Sequence, residues 1–520
     1  ALLPSLRTVH SIGLDRQYNI QLMGSYENLK RTTQNTISFF QFPSDVARNV
    51  ENIILEEAMV PRIELLDQLA KSVLENDDYL TEPPLPIPSE EARKSLVQRI
   101  DESEFPVIRS HFGIPADTID PTIEGIAKIS NARVIDELSL GSSDLSQRFF
   151  GDPGAFKGVK NDGGVPYKNK EDLIRLKAAT QSGNYPSIKP YCHVKNIIPF
   201  IDICLETGML IGAHQAVPLF WFSELDGRGP MSVDDAIREH KEAIRYLVKK
   251  GIPTEMNDPN QWSSRYAHDA VFVTDYALIA AIMYKAGSPN MIFQMQFNKP
   301  ADTGDFADLA KFTAARDLIE EVRPTGNNSR IIIETRAGIE HFSTNMKVAK
   351  FQLARSVMLQ MLMNPSILHL VSYCEADHAA TPDDVIESSK ILRRAVRVFR
   401  EHEADIRKAV NDSFVKERHD FLINQAHILM EKIGHLGKMG QCCASRQVAE
   451  RLSDTQALQL AMKYRIMAAP GISDKKYATP EMITHAGKHG EIDCYRLWDD
   501  VIPLDEKERL DIMKKYLLEI

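Results

Sequence analysis

MIFQMQF (Met291–Phe297), a helical stretch at Ala307–Val322, RIIIETR (Arg330–Arg336), a second helical stretch at Asn345–Met361 and ILHLVSY (Ile367–Tyr373) follow one another in the chain. The short runs are apolar and rich in β-formers; the stretches between them carry apolar residues at helical spacing. Strand, helix, strand, helix, strand implies parallel neighbours, because parallel strands need a crossover between them. Toward the N-terminus the alternation continues through VIRSHFG (from Val107), VIDELSL (Val134), SIKPYCHV (Ser187), MLIGAH (Met209) and PTEMNDP (Pro253). Helical stretches separate most of them, at Asp120–Ser130, Lys170–Thr180, Ile197–Thr207, Ser232–Lys250 and Ala267–Ala286. Eight strands over roughly 290 residues match the count and size of an α/β (β/α)₈ TIM barrel. The structural alternative is an open doubly wound sheet. It would want a GxGxxG turn after its first strand, where the chain has SHFGIPADT.

Outside the barrel the texture is helical. Ser44–Leu74 has helical spacing interrupted by Pro61, TEPPLPIPS (Thr81–Ser89) is a proline-rich connector, and a second helix is expected at Ser89–Ile100. After the eighth strand, Thr381–Glu403, Val415–Ile433 and Ser445–Tyr464 read as helices, and the last fifty or so residues are mixed, with glycine and proline turns. The expected organisation is an N-terminal helical extension (1–104), the barrel (105–380), and a C-terminal helical and mixed extension (381–520).

The 520 residues are 43% apolar and 26% charged, a composition that excludes dominant disorder. A net charge of −10 argues against a protein held to nucleic acid by phosphate contacts. The six cysteines show no CxxC spacing, which points to a reducing compartment and away from a structural zinc site. The most apolar candidate for a membrane span, Ala267–Ala286, is interrupted by Asp269, Asp275 and Lys285, and the sequence begins with neither a signal peptide nor a clean transit peptide. A soluble cytoplasmic protein is expected.

In a TIM barrel the chemistry lies at the C-terminal ends of the strands. Those ends carry Arg109 and His111 (first strand), Ser139 (second), Lys189, Tyr191 and His193 (third), His214 and Gln215 (fourth) and Glu255, Asn257 and Asp258 (fifth). The sixth strand adds Gln294, Gln296 and Asn298, the seventh Glu334 and Arg336, and the eighth Ser372, Tyr373 and Glu375, with Asp377 and His378 just beyond. Polar groups buried there without partners would cost several kcal/mol each, so this density predicts a polar mouth that takes a ligand. Any one of them has a plain structural reading as well: Arg336 could simply pair with Glu334 or Glu340. A metallohydrolase barrel would want HxH at its first strand; only His111 stands there, and no metal is expected. GSSDLS is not the GxSxG of a serine hydrolase, and there is no Walker loop. GVKNDGGVP (Gly158–Pro166) could approach a phosphate or a flat cofactor, and the aromatic cluster Phe220–Phe222 reads as wall or core.

Three stretches carry a family resemblance: SDLSQRFF (Ser143–Phe150), ILHLVSYCEADHAATPDD (Ile367–Asp384), and the tail from IMAAPGISDKKYATPEMI to GEIDCYRLWDDVIPLDEKE (Ile466–Glu508). In these the chain resembles the catalytic barrel subunits of adenosylcobalamin-dependent mutases, most closely the large-subunit family of glutamate mutase (methylaspartate mutase). The similarity runs patchily over about four hundred residues from Phe105 onward.

The resemblance implies an isomerase. Adenosylcobalamin would lie over the barrel mouth, its Co–C bond would break homolytically, and a 1,2-rearrangement of a small carboxylic or amino acid would follow. The family's DxHxxG motif is absent from this chain, so a small cobalamin-binding partner subunit is implied, in a hetero-oligomer such as a dimer of heterodimers. Arg148 matches a carboxylate-binding arginine of the family, and a guanidinium suits a carboxylate bidentately. The family's other two substrate arginines fall near His111 and at Tyr191–His193, so an acid other than glutamate is implied. Tyr373 and Asp377 fall where the family binds the adenosyl ribose. The candidate set is therefore His214 and Glu255 for acid–base work; Arg109, His111, Arg148, Tyr191, His193 and Gln215 for substrate; and Asn257, Gln296, Arg336, Tyr373 and Asp377 for cofactor. Two alternatives stay open: an aminomutase that also uses pyridoxal phosphate, suggested by GAHQ, and a non-catalytic barrel that scaffolds a cobalamin protein.

Overall fold

The computed structural model describes residues 60–517 except 162, 192–195, 226, 228, 230, 302, 438–447, 475, 479–481, 498–499 and 501. His193 and the adjacent cysteines Cys442 and Cys443 therefore lie outside the described residues, as does most of the predicted Ser44–Leu74 helix. The rest of that helix forms at Glu64–Leu74, after Pro61.

Seven of the eight predicted strand segments contain a strand, and the other, MLIGAH, is followed directly by one: β1 (Val107–Phe112), β2 (Glu137–Leu140), β3 (Ser187–Lys189), β4 (Gln215–Ala216), β5 (Thr254–Met256), β6 (Asn290–Phe297), β7 (Arg330–Ala337) and β8 (Ile367–Leu370). They form one parallel sheet in the order β3-β2-β1-β8-β7-β6-β5-β4. Across the remaining seam, Leu210 N donates to Ile188 O at 3.0 Å. The sheet is thus a nearly closed (β/α)₈ barrel. Its fourth strand departs from expectation. MLIGAH is mostly turn, with Gly208, Leu210 and Gly212 all at positive φ, and the strand begins only at Gln215. Gly212 is needed there for a second reason: a Cβ would sit 2.3 Å from the carbonyl oxygen of Arg93.

Alternation along each strand sorts side chains into outside and inside. On β1, Ile108 and Phe112 face the surrounding helices, while Val107, Arg109 and His111 share the interior face. Val107, Ile292, Ile332 and Ile367 form an apolar layer at the N-terminal end of the barrel, and Leu96 of the helix Leu96–Glu102 plugs it from below. Ser95 caps that helix by accepting from Gln98 N. The next interior layer is ionic and is described below.

The helix Asp269–Ala286 is buried almost all round, as its uniformly apolar sequence requires. The helices Ser413–Gly434 and Val448–Leu452 of the C-terminal extension pack over it, and Arg418 ties the layers together by pairing with Asp269 and Asp493, both at 2.9 Å. Near the N-terminal side, Arg355 forks onto Asp305 (2.9 and 2.6 Å) and also pairs with Asp67, while Ile63 N donates to Asp305 at 2.8 Å. The tail adds an antiparallel hairpin, Ile483–Ala486 with Ile492–Tyr495. Among the described residues no helix is long and apolar enough to cross a membrane.

Candidate active site

The ionic layer is built from inward residues of successive strands: Arg109 (β1), Glu137 (β2), Lys189 (β3), His214 (just before β4), Glu255 (β5), Gln294 (β6), Glu334 (β7) and His369 (β8). None is more than 3% exposed. Arg109 Nη1 donates to Glu255 Oε2 and Glu334 Oε1, both at 2.6 Å, and its Nε donates to Ser139 Oγ at 2.8 Å. Lys189 Nζ lies 2.9 Å from Glu255 Oε2. The His214 ring bridges two carboxylates, Nδ1 at 3.1 Å from Glu137 Oε1 and Nε2 at 2.8 Å from Glu255 Oε2. Gln294 Nε2 donates to Glu255 Oε1 (2.9 Å) and Glu334 Oε1 (2.5 Å) and lies 3.2 Å from His369 Nδ1.

Buried charges survive only when they are paired, and the protonation states follow from that pairing. Burial by itself would lower the pKa of His214, but the charge of Glu137 and the hydrogen bonds to Glu137 and Glu255 outweigh it and push it up to about 9. Burial opposes ionisation of Glu255 too, yet Arg109 and Lys189 hold it well below the usual carboxylate range. Glu334 and Glu137 are likewise lowered against burial, the first mainly by Arg109 and the second mainly by His214 and Lys189. Burial depresses His369, and nearby Arg109 and Arg336 add to the effect, so this imidazole is neutral. Arg109, Lys189 and His214 thus stand against three carboxylates in this layer; burial and neighbouring Arg109 lower the pKa of Lys189, and Glu255 and Glu137 oppose that shift.

Above it lies a different layer. His111 sits over His369 (ring centroids 4.5 Å apart) and beside Tyr191 (5.6 Å), which meets Phe222 edge-on (6.0 Å). Burial and the neighbouring His369 hold His111 well below its ordinary pKa. Gln296 and Arg336 are register partners on β6 and β7, and His369 is the partner of Arg336 on β8. Arg336 Nε donates to Ala337 O at 3.2 Å, and among the described residues no carboxylate lies within ion-pair distance of its guanidinium. The group is only partly buried. Glu375 contributes to its field without pairing with it; burial pushes the Glu375 carboxyl up to about 7. Among the described residues, buried His369 Nε2 and Ser372 Oγ make no hydrogen bond within the protein.

The sequence-derived candidates separate accordingly. Arg109, His214 and Glu255 belong to the sealed ionic layer. His111, Tyr191, Gln296 and Arg336 stand at the mouth, whereas Gln215, between inward His214 and Ala216, the register partner of Glu255, faces the other way. Asn257 is half-buried at the N-cap of the helix Asp258–Ser263. Arg148 is half-exposed, pairs with Asp144 one turn earlier at 3.3 Å, and takes no part in the interior network. The Tyr373 hydroxyl is committed to Asp384 (3.1 Å) and Glu387 (2.7 Å), outside the barrel wall. Asp377 is half-exposed beside His378. GVKNDGGVP is pinned to the exit of β2: Val165 N donates to Gly141 O at 2.7 Å, and a Cβ on Gly164 would fall 1.4 Å from that same oxygen. Sequence reasoning missed Glu137 and His369. For His369 the signal was present, an isolated polar residue between two apolar ones in Leu368-His369-Leu370; Glu137 follows Asp136, so the sequence does not mark which of the two faces inward.

His214, Glu255 and Glu334 place three ligand atoms within 4.8 Å of one another, a spacing that could suit a metal. Arg109 Nη1 already lies 2.6 Å from both carboxylates, and Lys189 is on one of them. A dication there would have to share the space with a buried guanidinium, so the set does not fit a metal. No protein-family model matches the chain, and no curated protein matches it.

Proposed function

We propose that this chain is the barrel subunit of an adenosylcobalamin-dependent radical mutase that rearranges a small carboxylic or amino acid. The observation that carries this reading is Arg336, a guanidinium with no carboxylate within ion-pair distance among the described residues, which stands at the mouth of the barrel above a layer of paired charges. A free arginine in such a place suits a carboxylate group. Among the described residues, His369 and Ser372 also offer buried hydrogen-bonding atoms without partners, which a polar ligand would satisfy.

The residues fit the implied cofactor on the β8 side, where the Ser372 hydroxyl is the group that would hold a ribose; Asp377 is held by His378 at 3.0 Å. Tyr373 is too committed to its two carboxylates to do so. Adenosylcobalamin, brought by a small partner subunit, would supply reversible hydrogen-atom abstraction. The chain itself supplies the rest. Arg336 and Gln296 hold the carboxylate. Neutral His111 and His369 offer nitrogen atoms to the substrate without adding charge. Glu375, poised near neutrality, can hold or release a proton. The ionic layer and the Leu96 plug close the barrel to water from below. A variant of this reading that adds pyridoxal phosphate would need a reachable lysine; Lys189 is sealed and paired with Glu255.

The test is electron paramagnetic resonance of the full chain mixed with a cobalamin-binding partner, adenosylcobalamin and a panel of small mono- and dicarboxylic acids and amino acids. A paramagnetic signal that depends on one of the acids, and is lost in Arg336→Gln, supports the mutase. No acid-dependent signal across the panel overturns it in favour of a non-catalytic scaffold.

A further inference from the structure

We propose that Cys374, His378 and Asp384 form a binding site for a thiophilic divalent cation of the zinc class, on the rim of the barrel mouth where β8 leads into the helix Pro382–Glu401. Their sulfur, nitrogen and oxygen ligand atoms lie within 4.8 Å of one another. The chain prepares this grouping. Asp377 N and His378 N both donate to Cys374 O, at 2.8 and 2.9 Å, and the resulting turn carries Cys374 and His378 to the same side. His378 Nε2 stands 3.5 Å from Asp384 Oδ2. That is long for a hydrogen bond but close to the ~3.3 Å between two ligands on a tetrahedral centre with bonds of about 2 Å.

The surroundings resemble those of a metal ligand set in two further respects. His378 Nδ1 is held by Asp377 Oδ2 at 3.0 Å, the carboxylate–histidine arrangement that orients an imidazole toward a metal through its other nitrogen. Asp384 is fixed by the Tyr373 hydroxyl on Oδ1 (3.1 Å) and by Thr381 N and Oγ1 on Oδ2 (2.9 and 2.6 Å). A cation on Oδ2 takes the place of the hydrogen bond from the Thr381 hydroxyl, which stays protonated and turns to solvent, and the Thr381 oxygen keeps the bond it accepts from Asp384 N at 3.3 Å. Cys374 is buried and His378 half-exposed, so a cation here faces protein on one side and water on the other. Three protein ligands leave the fourth tetrahedral position open. A thiolate and an imidazole select zinc-like ions over magnesium or calcium. Binding forms a metal–sulfur bond and releases the Cys374 thiol proton to solvent, with no change of oxidation state. The site stands apart from Arg336 and from any cobalamin chemistry.

The test is titration of the metal-free full chain with cobalt(II). One equivalent should produce a thiolate-to-cobalt charge-transfer band in the near ultraviolet and ligand-field bands of tetrahedral intensity, both erased by zinc. Cys374→Ser should remove the charge-transfer band. His378→Gln, at a half-exposed position that leaves the fold intact, should weaken the affinity about 100-fold, and Asp377→Asn by about 10- to 100-fold, as loss of an outer-shell partner does. Absence of the band, its persistence in Cys374→Ser, or unchanged affinity in His378→Gln would each overturn the proposal.

Discussion

Arg109 and Arg336 stand on β1 and β7, with β8 between them, and do opposite jobs. Arg109 is saturated by Glu255, Glu334 and Ser139, so its charge is spent inside the protein. Arg336 donates to the adjacent backbone carbonyl of Ala337 and, among the described residues, has no carboxylate within ion-pair distance. Replacing Arg336 with Gln should therefore leave the melting temperature nearly unchanged while weakening carboxylate binding by roughly 10- to 100-fold, the effect of removing a charged hydrogen-bond donor; a thermal melt reads the first half of this expectation and calorimetric titration the second. Glu255→Gln should do the reverse. It strips a carboxylate from Arg109, Lys189 and His214 at once, and urea unfolding should show a loss of about 3–5 kcal/mol, as for a broken buried pair. Glu375 sets the pH response of the mouth. Burial raises its pKa to about 7, so it is neutral below that pH and negative above it. Acid binding at Arg336 should weaken as pH rises through about 7, and Glu375→Gln should flatten that profile.

At the scale of elements, the alternation of strand and helix was legible because it depends on period and breakers, which are local properties. β6, β7 and β8 emerge where their apolar runs stand, and Thr381 with Asp384 caps the last barrel helix as a capping box. β4 was misplaced for an equally local reason: Gly208 and Gly212 turn an apolar run that would otherwise extend. The side of the barrel wall was harder to read. Tyr373 and Arg336 both look like strand-end groups in one dimension, yet the Tyr373 hydroxyl turns outward to Glu387 on the following helix. The division of the interior into an apolar base, an ionic layer and an open mouth is likewise a tertiary fact. It assigns the helix Leu96–Glu102 a task that its sequence does not announce. Leu96→Ala should open a void against Val107, Ile292, Ile332 and Ile367 and cost about 2–5 kcal/mol in equilibrium unfolding, while leaving carboxylate affinity at the opposite end unchanged.

The whole molecule has one weak line, the seam between β3 and β4, where the sheet order begins and ends. Charged side chains bridge it. His214, beside β4, reaches Glu137 on β2, and Lys189 on β3 reaches Glu255 on β5. Closure of the barrel is therefore tied to the charge on His214. Its folded pKa of about 9 lies above its ordinary value of 6.5 because two carboxylates outweigh burial. A raised pKa means stability that is fully present below about pH 6.5 and is lost as pH rises through about 9, on the order of 3 kcal/mol in all. The protein should thus lose stability across that window. His214→Gln should be less stable at neutral pH, because Glu137 and Glu255 lose a cation, and should lack the decline. Hydrogen exchange locates the effect: amides of β3, β4 and the segment between them should exchange faster in wild type as pH is raised, beyond the intrinsic increase, whereas β6 and β7, joined by an eight-residue register, should not. Uniform acceleration around the barrel would show that the seam does not depend on the imidazolium.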